Sequence, residues 1–276
     1  MNKSSERLLK SIKSLHWYEW VMIGIMTIVA AFAVVTSFMG YNPITGKADY
    51  NPSWLAIINF VSALAGIMCI FFCAKASISN FVFGIVNTFV YIVYLLYWGF
   101  LAPESLRWAT QGTLVLETVV YMPVNFISWF VWAKHRDAVE NCDHLTKSKK
   151  LTWWQNVIVT FAIAGVTVLT RYTFMEVLGL KAWAKLTTEP VLYEIGSWLD
   201  AATFSIGIVA VFLEMFRYRE QYVWWLITDI VAVALYSIKT PFDPVYLTKK
   251  SIYLIMAIIG LINWIKLQKL HNVENK

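Results

Sequence analysis

Runs of about twenty apolar residues, separated by short polar segments, recur along the whole chain. A helix needs about 20 such residues to cross the hydrocarbon core of a bilayer. Inside lipid, its backbone polar groups must be hydrogen-bonded within the segment itself. The pattern therefore predicts an all-α integral membrane protein with eight transmembrane helices, at residues 18–40, 54–74, 80–100, 108–133, 153–175, 192–216, 221–241 and 248–268.

Composition and charge agree with this class. Hydrophobic residues make up 59% of the 276 residues and charged residues 14%, whereas soluble domains are about 25% charged. The net charge of +6 lies in short loops, which favours a role in membrane topology over nucleic-acid binding. If the N-terminus is inside, inner segments hold fifteen Lys and Arg and outer segments eight, with Lys249 and Lys250 counted as outer. This bias predicts that both termini are cytoplasmic.

Three landmarks recur in the same order in the two halves of the chain. The segments are "SWLAIINF" (53–60) and "SWLDAATF" (197–204), "FVFGIVNTFVYIVY" (81–94) and "VWWLITDIVAVALY" (223–236), and "NFISWFVWAK" (125–134) and "GLINWIKLQK" (260–269). This alignment pairs Asn87 with Asp229, Tyr94 with Tyr236, and Trp129 with Trp264. It indicates two three-helix repeats in the same orientation.

The repeats predict a 3+1+3 core plus one extra N-terminal helix. Transporters built from parallel repeats bind substrate near the bilayer midplane, between the repeats. The predicted divisions are an N-terminal cytoplasmic segment with the extra helix (1–50), the first repeat (51–135), a linker with one transmembrane helix (136–190), the second repeat (191–270) and a cytoplasmic tail (271–276).

One acid stands inside an apolar span, in "VWWLITDIVAVALYS" (223–237). A carboxylate at the bilayer centre costs about 2.5–3.5 kcal/mol on insertion scales and is a functional-site candidate by default. At 1.5 Å per residue, Asn87, Asn125 and Asp229 lie about 10–12 Å from the inner edge of the hydrocarbon core. Glu117 reaches similar depth from the outer side.

Side chains on the same helical faces complete a polar layer lined with rings, which suits a flat, partly polar ligand. The candidate substrate-binding residues are Asn87, Tyr91, Tyr94, Glu117, Tyr121, Asn125, Trp129, Asp200, Trp225, Asp229, Tyr236 and Asn263. For each Asn or Tyr the alternative is a bond that only links helices, and for the acids a protonated carboxyl bonded to a neighbouring helix. Pro123 interrupts the fourth span and predicts a kink there.

The sequence favours neither an enzyme nor a cofactor-binding protein. All four His fall in predicted interfacial or cytoplasmic segments, and the three Cys form no metal-ligand or disulfide pattern. No Gly-rich phosphate loop or nucleophile elbow occurs. A retinal pump would need a Lys in the last span, and residues 253–264 contain none. We therefore predict no cofactor, no metal and no nucleic acid.

Four segments, "ISNFVFGIVN", "NFISWFVWAK", "SWLDAATFS" and "YVWWLITDIVAVALYS", resemble PnuC-type vitamin transporters over about residues 50–270. The resemblance implies a fold akin to full-length SWEET transporters in a bacterial inner membrane. It also implies facilitated diffusion of nicotinamide riboside, trapping by a cytoplasmic riboside kinase, and a homotrimer. The family often has Asn where this chain has Asp229, so thiamine and riboflavin stay open as substrates.

The residues themselves rank these ligands. A carboxylate at mid-depth favours a cation, and aromatic rings stack on cations, so nicotinamide riboside and thiamine rank above neutral riboflavin. Phosphorylated ligands rank low, because no basic cluster is visible at mid-depth in the sequence. A small-molecule-binding membrane receptor is the alternative from another class, although the loops are short for a signalling domain.

Overall fold

The computed structural model describes residues 12–42, 47–48, 52–101, 116–134, 148–173, 190–238 and 244–274. The helices in these ranges are α1 Trp17–Met39, α2 Ser53–Ala74, α3 Asn80–Leu96, α4 Met122–Ala133, α5 Trp153–Arg171, α6 Pro190–Met215, α7 Gln221–Ile238 and α8 Pro244–Glu274. Two-residue strands, β1 Tyr41–Asn42 and β2 Lys47–Ala48, pair antiparallel after α1.

The prediction of an all-α membrane protein is confirmed. Among the described residues, α1, α2, α5, α6 and α8 each contain a stretch long and apolar enough to cross a bilayer, and α7 holds a shorter apolar helix. α3 reaches that length together with the π-helical segment Tyr97–Leu101 that continues it. The fourth predicted span is described only from residue 116, because 108–115 lie outside the described ranges. The count of eight spans therefore stays a prediction.

The fourth span changes helix type where Pro123 stands. Leu116–Tyr121 form a π-helical segment, and the α-helix α4 begins at Met122. Proline has no N–H to donate, and its ring clashes with the carbonyl four residues earlier. The wider preceding turn avoids that clash.

The N-terminal helix is held to the rest of the protein by a buried ion pair. Lys75, just after α2, places its Nζ 2.6 Å from Glu19 Oε2, and Glu19 is fully buried in the first turn of α1. Lys75 Nζ also donates to the Ser14 carbonyl at 2.8 Å. The His16 backbone N–H donates to the same Glu19 oxygen at 2.6 Å. The start of α1 therefore packs against the end of α2.

Two connections, α2 to α3 and α6 to α7, have the same backbone geometry. Each contains a non-glycine residue in the left-handed region, Ala76 with φ 53° and Arg217 with φ 67°. The Ala76 N–H donates to Cys73 O at 2.9 Å, and the Arg217 N–H donates to Glu214 O at 2.9 Å. Each residue of the α2–α3 connection is therefore equivalent to the residue 141 positions later, in the α6–α7 connection.

Two tryptophans of the third helices, 132 positions apart, make a second pair of matching contacts. Trp132 Nε1 donates to Glu214 O at 3.0 Å, and Trp264 Nε1 donates to Cys73 O at 3.0 Å. Both indoles are fully buried, with ring centroids 5.6 Å apart. Each third helix thus binds the first helix of the other unit. These contacts pair Trp264 with Trp132, whereas the sequence alignment paired it with Trp129.

Two further rings pack beside Trp132 and Trp264. Phe81 packs edge-on against Trp132 with centroids 4.8 Å apart, and Tyr222 packs against Trp264 at 5.7 Å. Phe81 and Tyr222 also stand 141 positions apart. The division into two three-helix units stays a proposal, which these matching contacts support. In this register Thr88, not Asn87, corresponds to Asp229.

Candidate functional site

Three helices meet at the amide of Asn87, in the middle of α3. Its Oδ1 accepts a hydrogen bond from Ser62 Oγ of α2 at 3.0 Å and another from Lys249 Nζ of α8 at 3.1 Å. Lys249 is the sixth residue of α8, about 8 Å along the helix from its start. A lysine predicted to lie in an outer loop therefore reaches into the helix bundle.

The acid inside the apolar span has a cationic partner. Asp229 of α7 is buried, with a side chain 2% exposed, and its Oδ1 accepts from Lys250 Nζ at 3.1 Å. A carboxylate removed from water needs a paired charge and hydrogen bonds to be tolerated. Lys250 supplies both, which explains how an acid persists among Ile, Val and Ala.

Tyrosine rings surround the two ammonium groups. Lys249 Nζ lies 5.6 Å from the ring centroid of Tyr91 and 5.7 Å from that of Tyr253. Lys250 Nζ lies 5.3 Å from Tyr253 and 5.9 Å from Tyr246. These distances are within the range of cation–π attraction. The site therefore already contains the ring faces that a flat cationic ligand would use.

A second acidic side chain faces the two lysines. Glu117, in the π-helical segment before α4, is buried and close enough to Lys249 and Lys250 to interact electrostatically with both. The described residues of this cluster thus bring together two acids and two lysines. We call Asn87, Glu117, Asp229, Lys249 and Lys250, with the tyrosines around them, the charged cluster.

Two glycines make room for tyrosine hydroxyls at equivalent places. A Cβ on Gly66 of α2 would overlap the Tyr253 hydroxyl, and a Cβ on Gly207 of α6 would overlap the Tyr121 hydroxyl. Gly66 and Gly207 each lie eight residues before the end of their helix. Tyr121 in turn packs against Trp225 of α7, with centroids 6.5 Å apart.

The remaining predicted residues take other places. Tyr94 is buried and stacks on Tyr91 with centroids 6.0 Å apart. Asn125 Nδ2 donates to Thr88 Oγ1 at 3.4 Å, which links α4 to α3. Trp129 is 39% exposed. Asn263 Nδ2 donates to the Ala74 carbonyl at 3.3 Å, at the end of α2. Asp200 and Tyr236 have side chains outside the described residues.

A further polar group lies toward the ends of α2 and α6. Glu214 Oε1 accepts from Asn80 Nδ2 at 2.9 Å and from the Cys73 thiol at 3.4 Å. The Tyr222 hydroxyl donates to Cys73 Sγ at 3.2 Å. Cys73 and Gly66 stand seven residues apart, so they share a face of α2. The charged cluster and this second polar group therefore lie along the same face of α2.

The chain resembles known transporters over most of its length. A family model described as "Nicotinamide mononucleotide transporter" matches residues 53–266. The chain belongs to the PnuC family. A nicotinamide riboside transporter PnuC of Neisseria mucosa is 29% identical over 275 residues, which is 95% of this chain and 90% of that protein. A nicotinamide riboside transporter PnuC of Haemophilus influenzae is 30% identical over 80% of this chain and 83% of its own length.

A solved PnuC structure has the same fold. The crystal structure of the vitamin B3 transporter PnuC superposes with a TM-score of 0.66 at 27% identity, over 98% of this chain and all of that one. The PnuC family and these relatives are transporters and not enzymes. The sequence resemblance to PnuC is thus confirmed.

Sequence reasoning missed the two lysines of the charged cluster. The sequence assigns Lys249 and Lys250 to loop charge, because they lie at the edge of the predicted span, which begins at residue 248. The helix begins four residues earlier, at Pro244. Tyr253, four residues after Lys249 on the same face, was the available signal. The statement that no basic cluster reaches mid-depth was therefore wrong: two ammonium groups reach Asn87 and Asp229.

Proposed function

We propose that this protein carries nicotinamide riboside across the bacterial cytoplasmic membrane by facilitated diffusion. The observation that carries the proposal is the near full-length similarity to nicotinamide riboside transporters of the PnuC family. The charged cluster is the proposed binding site, because it presents carboxylates and ring faces to a ligand that combines a pyridinium ring with a ribose.

Each part of the ligand has a matching group. The rings of Tyr91 and Tyr253 stack on the pyridinium, and cation–π attraction strengthens when both partners are desolvated. Asn87 and Glu117 accept hydrogen bonds from ribose hydroxyls. Binding draws on these side chains alone, so the carrier needs neither ATP nor an ion gradient, and phosphorylation by a cytoplasmic riboside kinase makes uptake one-way.

The membrane arrangement is part of the same proposal. Both termini lie in the cytoplasm, as the Lys and Arg bias indicates, and three copies assemble as a homotrimer in the lipid bilayer. Accessibility of single cysteines at each terminus in intact cells tests the orientation. Mass measurement of the detergent-solubilised protein tests the trimer.

Counterflow in proteoliposomes tests the transport reaction. Vesicles loaded with unlabelled nicotinamide riboside should accumulate labelled riboside transiently, with no ion gradient and no ATP. Collapse of all ion gradients by ionophores should leave the rate unchanged. Uptake that requires a proton gradient would replace facilitated diffusion by proton coupling. Absence of counterflow with a ligand that binds would favour a receptor.

One observation supports a second candidate, nicotinamide mononucleotide. Lys249 and Lys250 place two ammonium groups in the site, and ammonium groups bind phosphate. The matching family model also carries the name of the mononucleotide. Competition of labelled riboside by unlabelled mononucleotide, thiamine and riboflavin decides the substrate.

A further inference from the structure

The two lysines of the charged cluster occupy the groups that a cationic ligand requires. Lys250 Nζ is paired with Asp229 Oδ1 at 3.1 Å and lies over Tyr253 at 5.3 Å. Lys249 Nζ lies over Tyr91 and Tyr253 at 5.6 and 5.7 Å. A carboxylate and tyrosine faces are the partners that a pyridinium or another organic cation would use.

The two ammonium groups also cancel the charge that would attract a cation. Lys249 and Lys250 carry two positive charges, which Asp229 and Glu117 offset by at most two negative ones. A bound cation therefore leaves an excess positive charge among residues removed from water, where Coulomb repulsion is poorly screened. A ligand without net charge does not meet this penalty.

We infer that Lys249 and Lys250 determine the charge selectivity of the site by acting as tethered cations that compete with a cationic ligand. This inference rests on the proposed function, because it assigns the charged cluster to substrate binding. Nicotinamide riboside binds only by displacing an ammonium group from a ring or from Asp229. A zwitterionic pyridinium riboside that carries a ring carboxylate keeps the charge balance and gives an ammonium group a new partner.

Adjacent lysines reach different helices, so the competition has two parts. Lys250 neutralises Asp229 of α7, and its removal leaves that carboxylate available to the ligand cation. Lys249 donates to the neutral amide of Asn87 of α3, so its removal deletes a positive charge and leaves the Lys250–Asp229 pair intact. Lys249→Met is therefore the variant with less risk to folding.

Isothermal titration of the purified full-length protein tests the inference. The ligands are nicotinamide riboside, a cation, and nicotinic acid riboside, a zwitterion at neutral pH. Lys249→Met and Lys250→Met should each bind nicotinamide riboside about tenfold more tightly than the wild type, which is about 1.4 kcal/mol. Their preference for the zwitterion relative to the cation should fall by at least as much. Lys250→Arg, which keeps the positive charge, should show no such gain in affinity for nicotinamide riboside.

The matched control is Lys266→Met, an exposed lysine on the same helix α8, which should change neither affinity. Weaker or unchanged binding of nicotinamide riboside by Lys249→Met would overturn the inference, since it would make the lysine a direct ligand contact or a bystander. A wild type that does not bind nicotinamide riboside would instead refute the proposed function. In that case thiamine, another organic cation, replaces it in the same titration, and the direction of the Lys249→Met effect still decides the inference.

Discussion

Replacement of Gly66 by alanine tests whether the charged cluster is the binding site. The added methyl group would overlap the Tyr253 hydroxyl and would lie 2.8 Å from Lys249 Cε and 3.0 Å from Asn87 Oδ1. All three atoms belong to side-chain ends. The helix can therefore accept the alanine, while the cluster has to rearrange.

The size of the effect of Gly66→Ala follows from the contacts that the substitution removes. A hydrogen bond to a charged group contributes about 1.5–3 kcal/mol, and the Lys249–Asn87 bond is the one that the methyl group displaces. Alanine is favoured over glycine in a helix interior by about 1 kcal/mol, which partly offsets this loss in the folding free energy. Ligand affinity receives no such compensation. We expect the dissociation constant for nicotinamide riboside to rise by about tenfold or more, while the folding free energy falls by only about 0.5–2 kcal/mol.

Titration of Gly66→Ala by calorimetry measures the affinity, and circular dichroism in detergent measures the unfolding temperature. Gly165→Ala is the matched control, because Gly165 lies in the middle of α5 and a Cβ there meets no atom within 4 Å. It should bind like the wild type. Wild-type affinity in Gly66→Ala, with the protein folded, would remove the charged cluster from the binding site.

Four further substitutions test the packing around the site, and each is measured by the unfolding temperature. Lys75→Met should destabilise strongly, because an unpaired buried carboxylate at Glu19 costs about 3–5 kcal/mol. Glu19→Gln combined with Lys75→Met should recover most of that loss. If stability is not recovered, the Lys75–Glu19 ion pair is not what stabilises this contact. Trp264→Phe should cost about 1 kcal/mol for the lost indole hydrogen bond, and an unchanged stability would mean that this bond contributes nothing. Gly260→Ala should destabilise by about 1–3 kcal/mol through overpacking against the Tyr222 ring, and a stabilised variant would show that the ring moves aside without cost.

Helix positions could be predicted from the sequence, because bilayer thickness imposes one length on every span. The polar residues Asn87, Glu117 and Asp229 were predictable for the same reason, since each is unusual inside an apolar run. Their partners were not predictable from depth alone. A lysine side chain extends several ångströms beyond its backbone, so Lys250 reaches Asp229 from a position that residue counting assigns to the membrane edge.

The internal repeat shows a different limit of sequence comparison. Residue identities align Trp264 with Trp129, because both follow a small or amide residue in apolar surroundings. Contacts align it with Trp132, because each of these indoles donates to the end of the opposite first helix. A three-residue shift stays near the same helical face, so helical periodicity could not distinguish the two registers. Only a long-range hydrogen bond could.

The contact-based register also separates the shared scaffold from the chemistry placed on it. Three features recur in both proposed units: the turns at Ala76 and Arg217, the indole hydrogen bonds, and the glycines that make room for a tyrosine hydroxyl, Gly66 and Gly207. They are backbone and packing features, which fix how the first and third helices approach each other. The charged groups do not recur: Asp229 stands opposite Thr88, and Glu214 opposite Cys73. If the proposed repeat is correct, matching packing features therefore enclose an asymmetric set of charges, which suits the proposed ligand with a ring at one end and a ribose at the other.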